Sequence, residues 1–131
     1  MSTRATATFE VKTWDEKPYA ELDGEAKLTR ASVTKSFQGD IQGESTPEYL
    51  MFYREDGSAS FVGLERVVGR IGGRSGSFVL QHSGTDEGGT VKATYFVVPG
   101  SGTDDLRGEG GFVATRDNYP QVPFTLDYDF E

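Results

Sequence analysis

From Ala5 to Lys12 every second residue is apolar: Ala5, Ala7, Phe9 and Val11 alternate with Thr6, Thr8, Glu10 and Lys12. That is the period of a strand with one buried face, and no stretch of the chain shows the 3.6-residue spacing of an amphipathic helix. The far end repeats it, with Phe124, Leu126, Tyr128 and Phe130 set against Thr125, Asp127, Asp129 and Glu131. Further strands are predicted near 28–44, 47–54, 59–70, 74–84, 90–98 and 108–115, which with the two terminal ones makes eight. The span 28–44 is too long to be regular, and Gly39 and Gly43 mark bulges or a corner within it. The expected fold is therefore all-β: one domain over 1–131, built as a single eight-stranded antiparallel, up-and-down-like barrel, with a two-sheet sandwich as the rival. Closure removes exposed sheet edges and brings Arg4 and Lys12 near Asp127, Asp129 and Glu131.

Composition narrows the function classes. A chain of 131 residues with 35% apolar content has enough core for one domain, so disorder is excluded. Its net charge of −8 works against phosphate contacts and against anionic lipid, which excludes nucleic-acid and membrane partners. With no cysteine there are no disulfides, thiolate metal sites or cysteine nucleophiles, and the expected location is cytoplasmic. MSTRATATFE has no apolar leader core, and no apolar run is long enough for a membrane helix. The longest irregular piece, Asp15 to Ala26, holds Pro18, Gly24 and five acids around Tyr19 and Leu22. Its two readings are a lid over one barrel mouth and a solvated surface loop.

Turn positions set which residues share a face. Asp56-Gly57 as a two-residue turn places Phe52 opposite Phe61, Leu50 opposite Gly63 and Glu48 opposite Glu65. A three-residue loop, Glu55 to Gly57, would shift that pairing by one and invert the strand. A turn at Gly72-Gly73 sets Glu65 against Leu80 and Gly63 against His82, and one centred on Glu87-Gly88 sets Phe78 by Val97, Leu80 by Tyr95 and His82 by Ala93. The inward face then reads Leu50, Phe52, Phe61, Val67, Phe78, Leu80, Ala93, Tyr95 and Val97, with Glu48, Glu65 and His82 among them.

Two carboxylates close together inside an apolar barrel cannot both ionise cheaply, so one would have a raised pKa and act as an acid, with His82 relaying a proton. Glu65, Glu48 and His82 are the catalytic candidates. The plainer alternative puts both acids at barrel rims, hydrated or paired with Arg54, Arg66 or Arg74, and makes His82 a hydrogen-bonded core residue. Candidate ligand contacts are Trp14, Leu50, Phe52, Phe61, Phe78, Leu80, Tyr95 and Tyr128. A single histidine and the absence of a Gly-x-Ser-x-Gly elbow leave nucleophilic triads little to stand on. The glycine clusters at 69–76 and 108–111 lack the helix a phosphate loop needs, and the acidic segments lack EF-hand spacing, so neither cofactor nor metal is expected.

The segments FEVKTWDEKPY, LTRASVTKSFQGDIQGES, YREDGSASFVGLERVVGRIGGRSGSFVLQHSGT, VVPGSG, LRGEGGF and LDYDFE resemble a widespread family of small bacterial proteins of unknown function. The resemblance runs from Phe9 to Glu131 and is most specific from Phe61 to Thr85. It implies a barrel similar to that of plant allene oxide cyclase and, more distantly, of dirigent proteins, and it suggests association through an outer face containing Tyr49, Met51, Tyr53 and Phe96. No segment matches the cyclase's site motif, so the resemblance implies a fold and carries over no site residue.

Three functions follow as expectations. The first is a barrel binding a small hydrophobic molecule. The second is a cofactor-independent isomerase or cyclase using Glu65 or Glu48 with His82. The third is an interaction module, a possible homo-oligomer, working through its aromatic outer face.

Overall fold

Strand alternation accounts for nearly the whole backbone. The computed structural model describes the backbone of residues 3–22, 24, 26–88, 90–116 and 122–130, and the side chains of 4–22, 24, 26–88 and 90–107. It contains β1 (Thr3–Glu21), β2 (Lys27–Gly39), β3 (Ile41–Tyr53), β4 (Ala59–Ile71), β5 (Arg74–Glu87), β6 (Thr90–Val97), β7 (Gly108–Arg116) and β8 (Val122–Phe130). A single 3₁₀ turn, Asp104–Leu106, is the one helical piece among the described residues. Every consecutive pair of strands is antiparallel, and β8 also pairs with β1, Arg4 lying opposite Asp127 in the register. None of the described helical residues forms a segment long and apolar enough to cross a membrane.

Two expectations are corrected at the first hairpins. Residues 28–44 are not one bent strand: the chain reverses at Asp40, with Phe37 opposite Gly43. Asp15 to Glu21 is not loop but the continuation of β1, paired with β2 as far as Glu21 opposite Lys27. Pro18 and the run of acids hid this strand. Proline is tolerated because, among the described residues, β1 pairs with β8 only from Thr3 to Phe9, so that Pro18 has a described partner strand on one side only, and because a bulge follows at Pro18/Ala20.

The next hairpin fixes which side of β3 is buried. Arg54 donates to Ser58 O at 2.8 Å and Gly57 donates to Arg54 O at 3.0 Å, so the loop is three residues long, Glu55 to Gly57. Gly57 sits at φ +88°, the left-handed conformation that such loops place before the returning strand. Asp56 Oδ1 accepts from the Ser58 backbone at 2.8 Å and holds the turn. Met51 therefore faces Phe61, Tyr49 faces Gly63 and Pro47 faces Glu65. Tyr49 and Met51 are buried, while Leu50 is 48% exposed. The expected inward positions of Glu48, Leu50 and Phe52 are thus overturned by a one-residue shift.

The remaining turns keep the expected faces. Ile71 pairs with Arg74, as a Gly72-Gly73 turn requires. Glu87 pairs with Thr90, which moves the β5–β6 pairing by two residues, so the faces are unchanged but His82 lies beside Tyr95 rather than Ala93. Phe9, Val33, Phe37, Ile41, Val67, Phe78 and Leu80 fill the buried side. Leu106 closes one end of it, held where Thr103 N donates to Ser77 O at 2.8 Å and Ser77 N to Thr103 Oγ1 at 2.9 Å.

The β3 register is tested by paired truncations. Met51→Ala is expected to cost about 2–5 kcal/mol in denaturant unfolding, and Leu50→Ala less than about 1 kcal/mol. The reverse order would restore the two-residue turn.

Candidate functional site

Glu65 stands mid-strand on β4 with its side chain wholly out of solvent. Its Oε2 accepts a hydrogen bond from Ser45 Oγ at 2.5 Å. Its Oε1 lies 3.4 Å from Lys35 Nζ and 2.7 Å from His82 Nε2. The His82 contact is short but not aligned, since neither ring nitrogen makes a hydrogen bond of good geometry among the described residues. Four strands supply these groups: Lys35 from β2 opposite Ser45 of β3, Glu65 from β4, and His82 from β5 opposite Gly63 and Tyr95. Pro47, with no N–H to give, coincides with a gap in the β2–β3 ladder between the Ser32–Glu48 and Lys35–Ser45 pairs, beside this cluster.

Gly63 lets the aromatic part of the cluster assemble. A Cβ there would stand 2.7 Å from Tyr49 Cδ1. Without it, the Tyr49 and His82 rings meet edge-on with centroids 5.2 Å apart. On its other side His82 lies 3.9 Å from the Tyr95 ring centroid. Lys35 Nζ sits 4.1 Å from the centroid of Phe9, 5.7 Å from that of Tyr49 and 5.9 Å from that of Tyr95, positions in which ring faces stabilise a cation.

The expected pair of carboxylates does not exist. Glu48 points to the opposite face, where Arg30 Nη2 donates to its Oε1 at 3.0 Å. The Ser32 hydroxyl, helped by Arg30, holds its pKa below the usual carboxylate value against a small burial effect. Burial alone would raise the pKa of Glu65, but the Lys35 charge, His82 and the Ser45 hydroxyl outweigh it and bring the value down to about 2. Burial lowers the pKa of His82, and the Lys35 charge adds to this, against the pull of Glu65. At neutral pH the cluster is a carboxylate facing an ammonium and a neutral imidazole.

A cavity of about 240 Å³ lies against this cluster. Phe9, Tyr49, Met51, Phe61, Ala93 and Tyr95 form walls, Trp14, Tyr53, Asp86 and Val91 stand toward the turn end of the sheet, and Lys35 reaches in. Glu65 and His82 are not in its lining. Among the described residues Lys35 has one hydrogen bond, the 3.4 Å contact with Glu65, so two of the ammonium's three donors have no partner among them. At the mouth Trp14 stacks on Tyr49 at 5.8 Å and donates from Nε1 to Glu16 Oε1 at 2.9 Å. Glu16 Oε2 accepts from both Thr29 Oγ1 and Tyr53 OH at 2.6 Å. Burial would raise the pKa of Glu16, but these three bonds and the Lys27 charge lower it.

Of the residues expected to touch a ligand, Trp14, Phe61 and Tyr95 line the cavity. Phe78 and Leu80 are packed in the core away from it, and Leu50 and Phe52 lie on the other face. The Tyr128 side chain lies outside the described residues. Leu50, Val62 and Leu64 form an exposed apolar stripe, with Leu50 directly opposite Val62. Among the described residues no group of three or more acids and histidines could hold a metal ion.

The chain matches the family described as "Protein of unknown function (DUF3224)" over residues 5–128. It belongs to that family. A crystal structure of a DUF3224 protein from Shewanella oneidensis MR-1, also of unknown function, is 34% identical. The alignment covers 100% of this chain and 99% of that one, with a TM-score of 0.85. No curated protein matches.

Lys35 and Ser45 were missed by sequence reasoning, yet Lys35 leaves a trace. It falls in phase with Ala31, Val33 and Phe37, the buried positions of β2, where a lysine needs a partner.

Acid stability tests these charge states in this DUF3224 protein. A histidine with a lowered folded pKa stabilises above its ordinary value of 6.5 and loses that contribution as pH falls below it. A carboxylate with a lowered folded pKa stabilises above 4.5 and loses that contribution as pH falls toward about 2. Denaturant unfolding should show constant stability between pH 7 and pH 9 and a two-stage decline below. His82→Gln should abolish the upper stage and leave the lower. Superimposable wild-type and variant profiles between pH 7 and pH 5 would contradict the assignment.

Proposed function

We propose that the ring of ladders works as an eight-stranded, allene-oxide-cyclase-like barrel that binds one small, neutral, mostly apolar molecule carrying an oxygen acceptor. The observation that carries this reading is Lys35: a buried ammonium, 3% exposed, in an aromatic-walled cavity, with two donors that find no partner among the described residues. A buried donor without an acceptor is costly, so an oxygen on the ligand offsets that cost. Charge selects the kind of oxygen. Lys35 is already balanced by Glu65, and Asp86 adds a negative group to the lining. A ligand carboxylate would leave unbalanced negative charge in a low-dielectric site, whereas a carbonyl, ether or hydroxyl oxygen would not.

Size sets the second limit. A dry apolar cavity of roughly 150 Å³ accepts benzene, so about 240 Å³ suits a fused bicyclic body. The aromatic walls favour a planar one. An isomerase using Glu65 or His82 directly is less well supported, because neither residue lines this cavity.

The chain's one tryptophan stands at the mouth and reports occupancy. Acetonaphthone, naphthoate and methylnaphthalene share a ring system and differ in the polar group. Trp14 fluorescence should show saturable binding of acetonaphthone about tenfold tighter than of methylnaphthalene, as expected for one hydrogen bond to a charged donor. Lys35→Met should erase that difference. Tightest binding of naphthoate, or equal binding of all three, would overturn the reading.

A further inference from the structure

The same lysine can do more than hold an oxygen. We propose that Lys35 captures aldehyde ligands covalently as a Schiff base, a step that rests on the binding reading above and specifies its chemistry. Four of the five lysines, Lys12, Lys17, Lys27 and Lys92, are exposed to solvent, and Lys35 alone is buried and lines a cavity. A carbonyl accepting a hydrogen bond from Nζ already has its carbon beside the nitrogen that would attack it. Confinement between the rings of Phe9, Tyr49 and Tyr95 replaces a chance encounter with a held one.

The proton inventory closes within the cluster. Nζ first gives a proton to Glu65 Oε1, 3.4 Å away, which holds it while the amine reacts. The free amine attacks the carbonyl carbon, a C–N bond forms, and the carbonyl oxygen becomes a hydroxyl. The stored proton returns to the nitrogen of Lys35 and from it to that hydroxyl, the C–O bond breaks and water leaves, giving a protonated imine. Ammonium and aldehyde have become iminium and water with no net change in charge, so Glu65 faces a positive partner at the end as at the start. Glu65 acts here as a positioning and proton-holding group that does not itself touch the ligand.

Full-length protein incubated with naphthaldehyde and sodium cyanoborohydride, followed by peptide mapping, locates the reduced adduct. Lys35 should be modified at least about tenfold faster than the four exposed lysines, the advantage expected from a held reactant. Glu65→Gln should slow labelling at Lys35 to below the rate of the exposed lysines and leave those unchanged, whereas a general loss of structure would bring Lys35 only to the exposed rate. The wild-type map does not depend on any variant folding. Saturable quenching of Trp14 by naphthaldehyde with no preference for Lys35 would overturn the covalent step and leave the binding reading standing. Absence of both quenching and Lys35 labelling would overturn the two together.

Discussion

A carboxylate taken out of water has to be matched where it lies, and at Glu65 the match comes from Lys35, His82 and Ser45 on three other strands. Removing one partner of such a buried pair typically costs about 3–5 kcal/mol, because the other charge is left uncompensated. Its position therefore constrains its neighbours. Gly63 carries no side chain where Tyr49 and His82 must meet. β2 spends one of its inward positions on a lysine. The apolar core fills the side of the cluster closed by Leu106, and the cavity occupies the other.

The cavity's character follows from that arrangement. Glu65 draws Lys35 inward beside the open space, and among the described residues the ammonium spends one donor on the carboxylate, which Ser45 and His82 also engage. Aromatic rings around Nζ stabilise the cation without consuming its donors. The mouth is organised by a second carboxylate, Glu16, which fixes Trp14, Thr29 and Tyr53 together. Two acids thus set the depth and the rim of one apolar space, a division of labour consistent with selecting a ligand by a single oxygen and a flat body.

Much of the fold was legible because inward and outward residues alternate so regularly in β1, β4 and β5. The buried positions of Glu65 and His82 could be read off a two-glycine turn. Glu48 could not, because the loop from Arg54 to Ser58 gains a residue through the Asp56 carboxylate and the left-handed Gly57, and one residue turns a strand over. The second half of β1 was hidden by Pro18 and its acids, whose tolerance depends on a bulge in the β1–β2 pairing that only the assembled sheet reveals. Lys35 was visible as a charge in an apolar phase. Its partner was not, since pairing across β2, β3 and β4 depends on the very register that the sequence left open. Membership of DUF3224 and the likeness to the Shewanella protein support the fold and leave the site's chemistry to its own residues.

The dependence of the structure on the Lys35–Glu65 pair is tested most directly by a double-mutant cycle in denaturant unfolding with Lys35→Met, Glu65→Leu and the two combined. Each single change should destabilise by about 3–5 kcal/mol, and the double variant should be no less stable than either single one. Additive losses, with the double variant the least stable of the three, would show that the two side chains are not coupled and would contradict the account.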